Sequence, residues 1–120
     1  MEFIIETEQK LDLIKRILNE KKAENIEVID VSSRTLIADY FVVCSGTSNT
    51  HIKAVADGLI RDGKSEGLKK YGVEGNAQAK WVLVDYGDVI VHIFAAEERE
   101  FYDIESLWKE TAAKLETASH

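Results

Sequence analysis

The sequence predicts a single α/β domain in which a mixed β-sheet is flanked by helices. Segments with the 3.6-residue apolar period of an amphipathic helix alternate along the chain with runs of β-branched residues. No repeat, low-complexity segment or proline interrupts this alternation. The chain has 120 residues, of which 45% are hydrophobic and 31% charged, and this is enough to bury one core without disulfides.

The first third of the chain predicts one helix and two strands. The apolar spacing within residues 7–22 predicts a helix with Thr7 as its N-cap. Residues 26–31 are rich in β-branched side chains and predict a strand. Residues 38–44 predict a second strand, whose continuous apolar run is typical of a strand covered on both faces.

The middle of the chain contains the clearest helical pattern. Ser48 is the expected N-cap of this helix, which carries a full apolar stripe and should end near Gly63 or Gly67. Residues 68–74 are compatible with a short strand, and residues 75–79 are typical of a loop.

Residues 81–94 predict a β-hairpin that turns at Gly87-Asp88, a pair suited to a two-residue turn. In the register that this turn sets, one face of the hairpin is expected to be core: Val82, Val84, Val89, Val91 and Ile93. The opposite face is mixed and carries Trp81, Leu83, Asp85, Ile90, His92 and Phe94.

The C-terminal part predicts one more helix, over residues 98–109, before a tail. Its expected apolar side consists of Phe101, Ile104, Leu107 and Trp108. We therefore expect a folded domain over residues 1–110 and a flexible tail over residues 111–120.

Charge and cysteine content limit the classes of partner. The formal net charge is −7, with 15 basic residues scattered among 22 acidic ones, so little direct nucleic-acid contact is expected. An acidic domain suits a basic protein partner, although net acidity also serves solubility alone. The single cysteine cannot form an internal disulfide, and the first residues predict no signal peptide, transit peptide or membrane span.

The strand–turn–helix corner at residues 39–51 is the place to look for catalysis. Gly46-Thr47-Ser48 could cradle a phosphate, but the lysine of a nucleoside triphosphatase loop is missing. A nucleotidyl transferase would also need paired carboxylates for magnesium, and Asp85 and Asp88 lie across a turn from each other. The pattern therefore favours a capped helix.

Cysteine and histidine chemistry receives little support from the pattern. Cys44 lies in an apolar run and is expected to be a core residue, not a nucleophile. The histidines at positions 51, 92 and 120 lack metal-ligand spacing. No catalytic residue, cofactor or metal is predicted.

Trp81 stands apart because it opens a strand on the mixed hairpin face, close to Asp85. Aromatic residues with scattered polar neighbours are typical of interface hot spots. Physical reasoning alone thus favours a binding module over an enzyme, without identifying its partner.

Several long motifs follow one another in a distinctive order: ADYFVVCSGTS (38–48), HIKA (51–54), VEG (73–75), WVLVDYGDVIVHIF (81–94) and REFYDIESLW (99–108). Together they resemble the ribosomal silencing factor family, also called the Iojap family. The resemblance implies a nucleotidyltransferase-like fold that has lost its catalytic carboxylates. The alternative that stays open is a nucleotide-binding or nucleotidyl-transferring enzyme of the same fold.

The resemblance also implies a function, a partner and a set of contact residues. It implies a bacterial, cytoplasmic translational repressor that binds the large ribosomal subunit through ribosomal protein number fourteen. Occupying the face that meets the small subunit would block subunit joining when nutrients are scarce. The resemblance also implies a possible homodimer when the protein is free. The partner-binding residues that it implies are Trp81 and Tyr86, with Asp85, Asp88, Glu98 and Tyr102 as polar candidates nearby.

Overall fold

A computed structural model describes residues 6–78 and 80–108 of the chain. The helices are α1 (Thr7–Glu20), α2 (Asn49–Ser65) and α3 (Ala96–Tyr102), and residues 104–108 are also helical. The strands are β1 (Glu24–Asp30), β2 (Tyr40–Gly46), β3 (Gly72–Asn76), β4 (Trp81–Asp85) and β5 (Val89–Ala95). Across these described ranges, no helix is long and apolar enough to cross a membrane.

The strands form one mixed sheet in the order β1-β2-β5-β4-β3. Strands β2 and β5 are parallel, and the neighbouring pairs on either side are antiparallel. The α/β class with a mixed sheet is confirmed. The hairpin register is confirmed too: Val82 lies opposite Ile93 and Val84 opposite Val91. Gly87 adopts φ +89° in the turn, where a side chain would be strained.

Helices cover the two faces of the sheet unequally. Helices α1 and α2 pack on one face, over a core that includes the whole predicted apolar side of the hairpin. On the other face, α3 packs over β5 and β2, and the helical residues Ile104 and Trp108 pack beside Phe41 and Ile90. Among the described residues, strands β3 and β4 are therefore less covered on this second face.

Two helix predictions are wrong, the N-cap of α1 and the continuity of the last helix. Glu6, not Thr7, is the N-cap of α1, and its backbone N–H donates to the Gln9 side chain at 3.3 Å. Thr7 instead donates a hydrogen bond from its hydroxyl to Asp88. The last helix is not continuous, because Asp103 adopts a left-handed conformation with φ 45° and ends α3.

This break changes which residues of the last segment are buried. Phe101 and Leu107 are exposed, so they are not on a core face as the periodicity predicted, whereas Ile104 and Trp108 do pack against the sheet. The expected tail at residues 111–120 lies outside the described residues.

Strand β3 begins at Gly72, four residues after the predicted start, and extends two residues, Gly75 and Asn76, into the segment 75–79 that was predicted as a loop. Gly75 pairs with Val82 although its φ is +76°. A Cβ atom at this position would lie 2.1 Å from the Trp81 carbonyl oxygen, so only glycine fits. Gly75 therefore lets β3 run directly alongside the start of β4.

Candidate functional site

Trp81 forms the centre of an aromatic cluster on the less covered face. Its ring stacks on Phe94 with centroids 4.7 Å apart and lies 5.0 Å from the ring of Tyr102. Trp81 itself is half-buried, and Tyr102 is 50% exposed. The structure thus brings together two of the predicted partner-binding residues, from β4 and from the end of α3.

These two rings line a shallow cavity of about 320 Å³ together with Leu83, Glu74 and Gly75. Leu83 follows Trp81 by two residues on β4, so their side chains share one face. Glu74 lies opposite Leu83 on β3 and is exposed. We refer to Trp81, Leu83, Tyr102 and Glu74 as the Trp81 surface.

His92 lies beneath the Trp81 surface and is 5% exposed. The Trp81 indole Nε1–H donates a hydrogen bond to His92 Nδ1 at 3.2 Å. Burial lowers the pKa of His92 to about 4, because the apolar surroundings disfavour the charged imidazolium. The ring is therefore neutral at physiological pH.

Asp85 and Asp88 lie at the far end of the hairpin from Trp81. Asp85 Oδ1 accepts the Gly87 backbone N–H at 2.7 Å and thereby holds the turn. Asp88 accepts hydrogen bonds from Thr7 and from Lys10, whose Nζ lies 2.6 Å away. Both carboxylates hold local structure, and the structure does not bring them close to the aromatic pair.

The contacts of Asp88 with Lys10 and Thr7 also lower its pKa. Burial by itself would raise the pKa of this carboxyl, but the hydrogen bonds from Lys10 and Thr7 lower it, so the pKa lies below the ordinary value of 3.8. Asp88 is therefore charged at neutral pH and anchors α1 to the hairpin turn.

Tyr86 has a buried side chain. It is 1% exposed and belongs to the core beneath α1 and α2, near Gly63 and Leu68. Burial raises the pKa of its phenol to about 12, and the hydroxyl has no hydrogen-bond partner among the described residues. Its expected direct contact with a partner is not compatible with this position, and we assign Tyr86 to the core.

Glu98 lies one turn before Tyr102 on α3. Its carboxylate is 3.8 Å from Lys80 Nζ, and it borders a second cavity of about 480 Å³ formed with the Gly46–Asn49 corner. This is the corner at which the sequence left open a phosphate site.

Two backbone N–H groups of the corner, those of Thr47 and His51, are engaged within the chain. Ser48 caps α2 as predicted, and its hydroxyl oxygen accepts the His51 backbone N–H at 3.0 Å. The Thr47 backbone N–H donates to His51 Nδ1 at 2.9 Å. Nε2 of the same ring lies 3.0 Å from the Lys21 carbonyl oxygen. Gly46 is needed for packing, since a Cβ there would lie 2.6 Å from the Ile52 side chain.

Cys44 is a buried core residue, as the sequence predicted. Desolvation raises the pKa of its thiol to about 12, which leaves it protonated and unreactive. Within the described ranges, no group of three or more His, Cys, Asp or Glu side chains is placed to hold a metal ion.

Residues 4–119 match the model of the family described as "Ribosomal silencing factor during starvation". The chain belongs to this family. A family member from Bacillus subtilis is 40% identical over 90 residues, which are 75% of this chain and 76% of that protein. One from Halalkalibacterium halodurans is 38% identical over 101 residues, or 84% and 86% of the two chains. Both are named "Ribosomal silencing factor RsfS".

Other comparisons support the same family and fold. A crystal structure of a protein from Chromobacterium violaceum has a TM-score of 0.84 at 35% identity, covering 88% of each chain. The mouse protein "Mitochondrial assembly of ribosomal large subunit protein 1" is 33% identical over 101 residues, covering 82% of this chain and 44% of its own length.

Three residues at or beneath the Trp81 surface of this chain were not predicted as site residues from the sequence. Leu83 and His92 were placed on the same mixed face of the hairpin as Trp81. This shared face was enough to predict that they lie near it. Glu74 gave no such signal, because the sequence predicted neither the pairing of the strand at residues 68–74 nor the face on which Glu74 lies.

Proposed function

We propose that the chain binds the large ribosomal subunit through ribosomal protein number fourteen and prevents the small subunit from joining. The observation that carries the proposal is the family match over nearly the whole chain. A relative named for assembly of the mitochondrial large subunit supports the choice of the large subunit. The protein would act as a translational repressor in the cytoplasm.

We propose the Trp81 surface as the docking site. It has the anatomy of an interface, with an apolar aromatic centre and a polar rim. Two aromatic rings beside the Glu74 carboxylate suit a basic side chain of the partner, because aromatic faces attract cations. The net charge of −7 would favour approach to a basic ribosomal protein.

The other predicted contact residues receive supporting roles. Glu98 and Asp85 are partly exposed and lie outside the cavity of the Trp81 surface, Glu98 at the Gly46 corner and Asp85 at the hairpin turn, and we propose that they contact the partner away from the aromatic centre. Asp88 and Tyr86 would act indirectly, by holding the hairpin turn and the core beneath it.

Co-sedimentation with purified ribosomal particles tests the partner. We expect the protein to sediment with large subunits and to be absent from joined ribosomes, because joining would bury the docking face. Small subunits serve as the control. Equal recovery with small subunits, or undiminished binding to joined ribosomes, would contradict the proposal.

We infer that the Gly46 corner does not bind or turn over nucleotides. The inference is supported by the engagement of its Thr47 amide with His51 and by the structural use of Asp85 and Asp88. ATP or GTP with magnesium should leave the melting temperature unchanged. A nucleotide at 100 times its dissociation constant would add about 2.7 kcal/mol of stability, so a rise of that size would refute the inference.

A further inference from the structure

His92 combines deep burial with an incomplete set of hydrogen bonds. It lies on β5 opposite Leu83, and its Nδ1 accepts the indole N–H of Trp81 at 3.2 Å. A neutral imidazole that accepts at Nδ1 carries its proton on Nε2. Nε2 is buried and has no hydrogen-bond partner among the described residues.

An apolar side chain would therefore fill this position at lower cost. The imidazole lies 4.9 Å from the Phe41 ring and 6.1 Å from the Phe94 ring, both measured between centroids. In such surroundings a buried donor without a partner is unfavourable, whereas a leucine would satisfy the packing. The polar edge of His92 thus serves the one bond that it makes, the bond to Trp81.

That bond determines how Trp81 is presented. Stacking on Phe94 constrains the plane of the indole but does not select between the two χ2 orientations, about 180° apart, that share this plane. The hydrogen bond to His92 selects the orientation in which the N–H edge faces the protein. The ring face beside Tyr102 and Leu83 is then what a partner meets, and the indole N–H is not available to it.

We propose that His92 is a positioning residue for docking, which holds the Trp81 ring in its binding orientation. The proposal rests on the proposed function of the Trp81 surface. It also states the chemistry of the contact: the partner meets Trp81 through apolar or cationic groups, not through a hydrogen-bond acceptor.

Two substitutions of His92 should separate positioning from packing. His92→Leu removes the acceptor and the unpartnered donor together, so we expect a melting temperature no lower than that of the parent and an affinity for the large subunit about fivefold weaker. His92→Asn keeps an acceptor near the position of Nδ1 but buries an amide. It should melt earlier than the parent and retain affinity within about twofold of it.

The indole N–H resonance of Trp81, measured by NMR, reports the bond itself. It should shift in His92→Leu and remain near the parent position in His92→Asn. Trp81→Phe keeps an aromatic ring and lacks the N–H, so it should also bind about fivefold more weakly, and adding His92→Leu to it should cause no further loss. These variants keep the test informative even if one His92 variant does not fold.

The outcomes distinguish failure of this proposal from failure of the proposed function. If Trp81→Ala loses affinity but His92→Leu binds like the parent with a shifted indole resonance, positioning by His92 is refuted and the docking site stands. If Trp81→Ala itself binds like the parent, the docking site lies elsewhere and both proposals fall.

Discussion

Trp81→Ala is expected to weaken binding to the large ribosomal subunit by at least about thirtyfold, which corresponds to about 2 kcal/mol. The indole is the largest side chain of the Trp81 surface, and its removal takes away the wall shared with Tyr102 and Leu83. The affinity should be measured by titrating the labelled protein with large subunits at a temperature at which the variant is folded.

Trp108→Ala is the matched control for this variant. Both tryptophans are half-buried and pack on the same apolar cluster, Trp81 against Phe94 and Trp108 edge-on against Phe41 at 5.3 Å. Each substitution should therefore cost roughly 2 kcal/mol of folding stability, less than the loss of a fully buried tryptophan. Only Trp81→Ala should lose affinity. The reverse pattern would place the docking surface on the C-terminal helical segment.

Acidification from pH 7 to pH 5 is expected to lower the free energy of unfolding by about 2 kcal/mol through His92 alone. In the unfolded chain this histidine takes up a proton below its ordinary pKa of 6.5, whereas in the native state its pKa is about 4. The unfolded state therefore binds more protons between these values, and stability is lost as the pH falls through this window. The full difference approaches about 3 kcal/mol below pH 4.

Urea unfolding at pH 7, 6 and 5 measures this loss. His92→Leu is the control, because it cannot titrate and should show a flatter dependence on pH across the same window. The low pKa of Asp88 adds its own loss only at lower pH, since its ordinary value is 3.8. An equal slope in the parent and in His92→Leu would show that His92 does not resist protonation in the folded protein.

The parts of the fold that depend on local chemistry could be predicted from the sequence. The Gly87-Asp88 turn sets the hairpin register, and the Ser48 hydroxyl caps α2, both within a few residues of chain. The alternation of side chains along the strand also places Tyr86 on the core face with Val82 and Val84, although the family resemblance implied that Tyr86 contacts the partner.

The features that could not be predicted depend on distant contacts. Thr7 is drawn away from a capping role by Asp88, a residue 81 positions later. The helix break at Asp103 is spanned by the Arg99 and Glu105 side chains, which pair at 2.6 Å, and left-handed geometry at an aspartate has no clear signal in the sequence. The Trp81–Tyr102 pair depends on this same break, because α3 ends at Tyr102.

The His51 imidazole at the Gly46 corner accepts the Thr47 backbone N–H, so an anion would have to compete with it for this donor. It accepts the Thr47 amide from a position only four residues away, so its effective concentration there is on the order of millimolar or above. A phosphate would have to displace it and also release the ring from the Lys21 carbonyl that lies beside it. We therefore expect small phosphate compounds to bind weakly at this corner, and docking to the partner to be independent of their concentration.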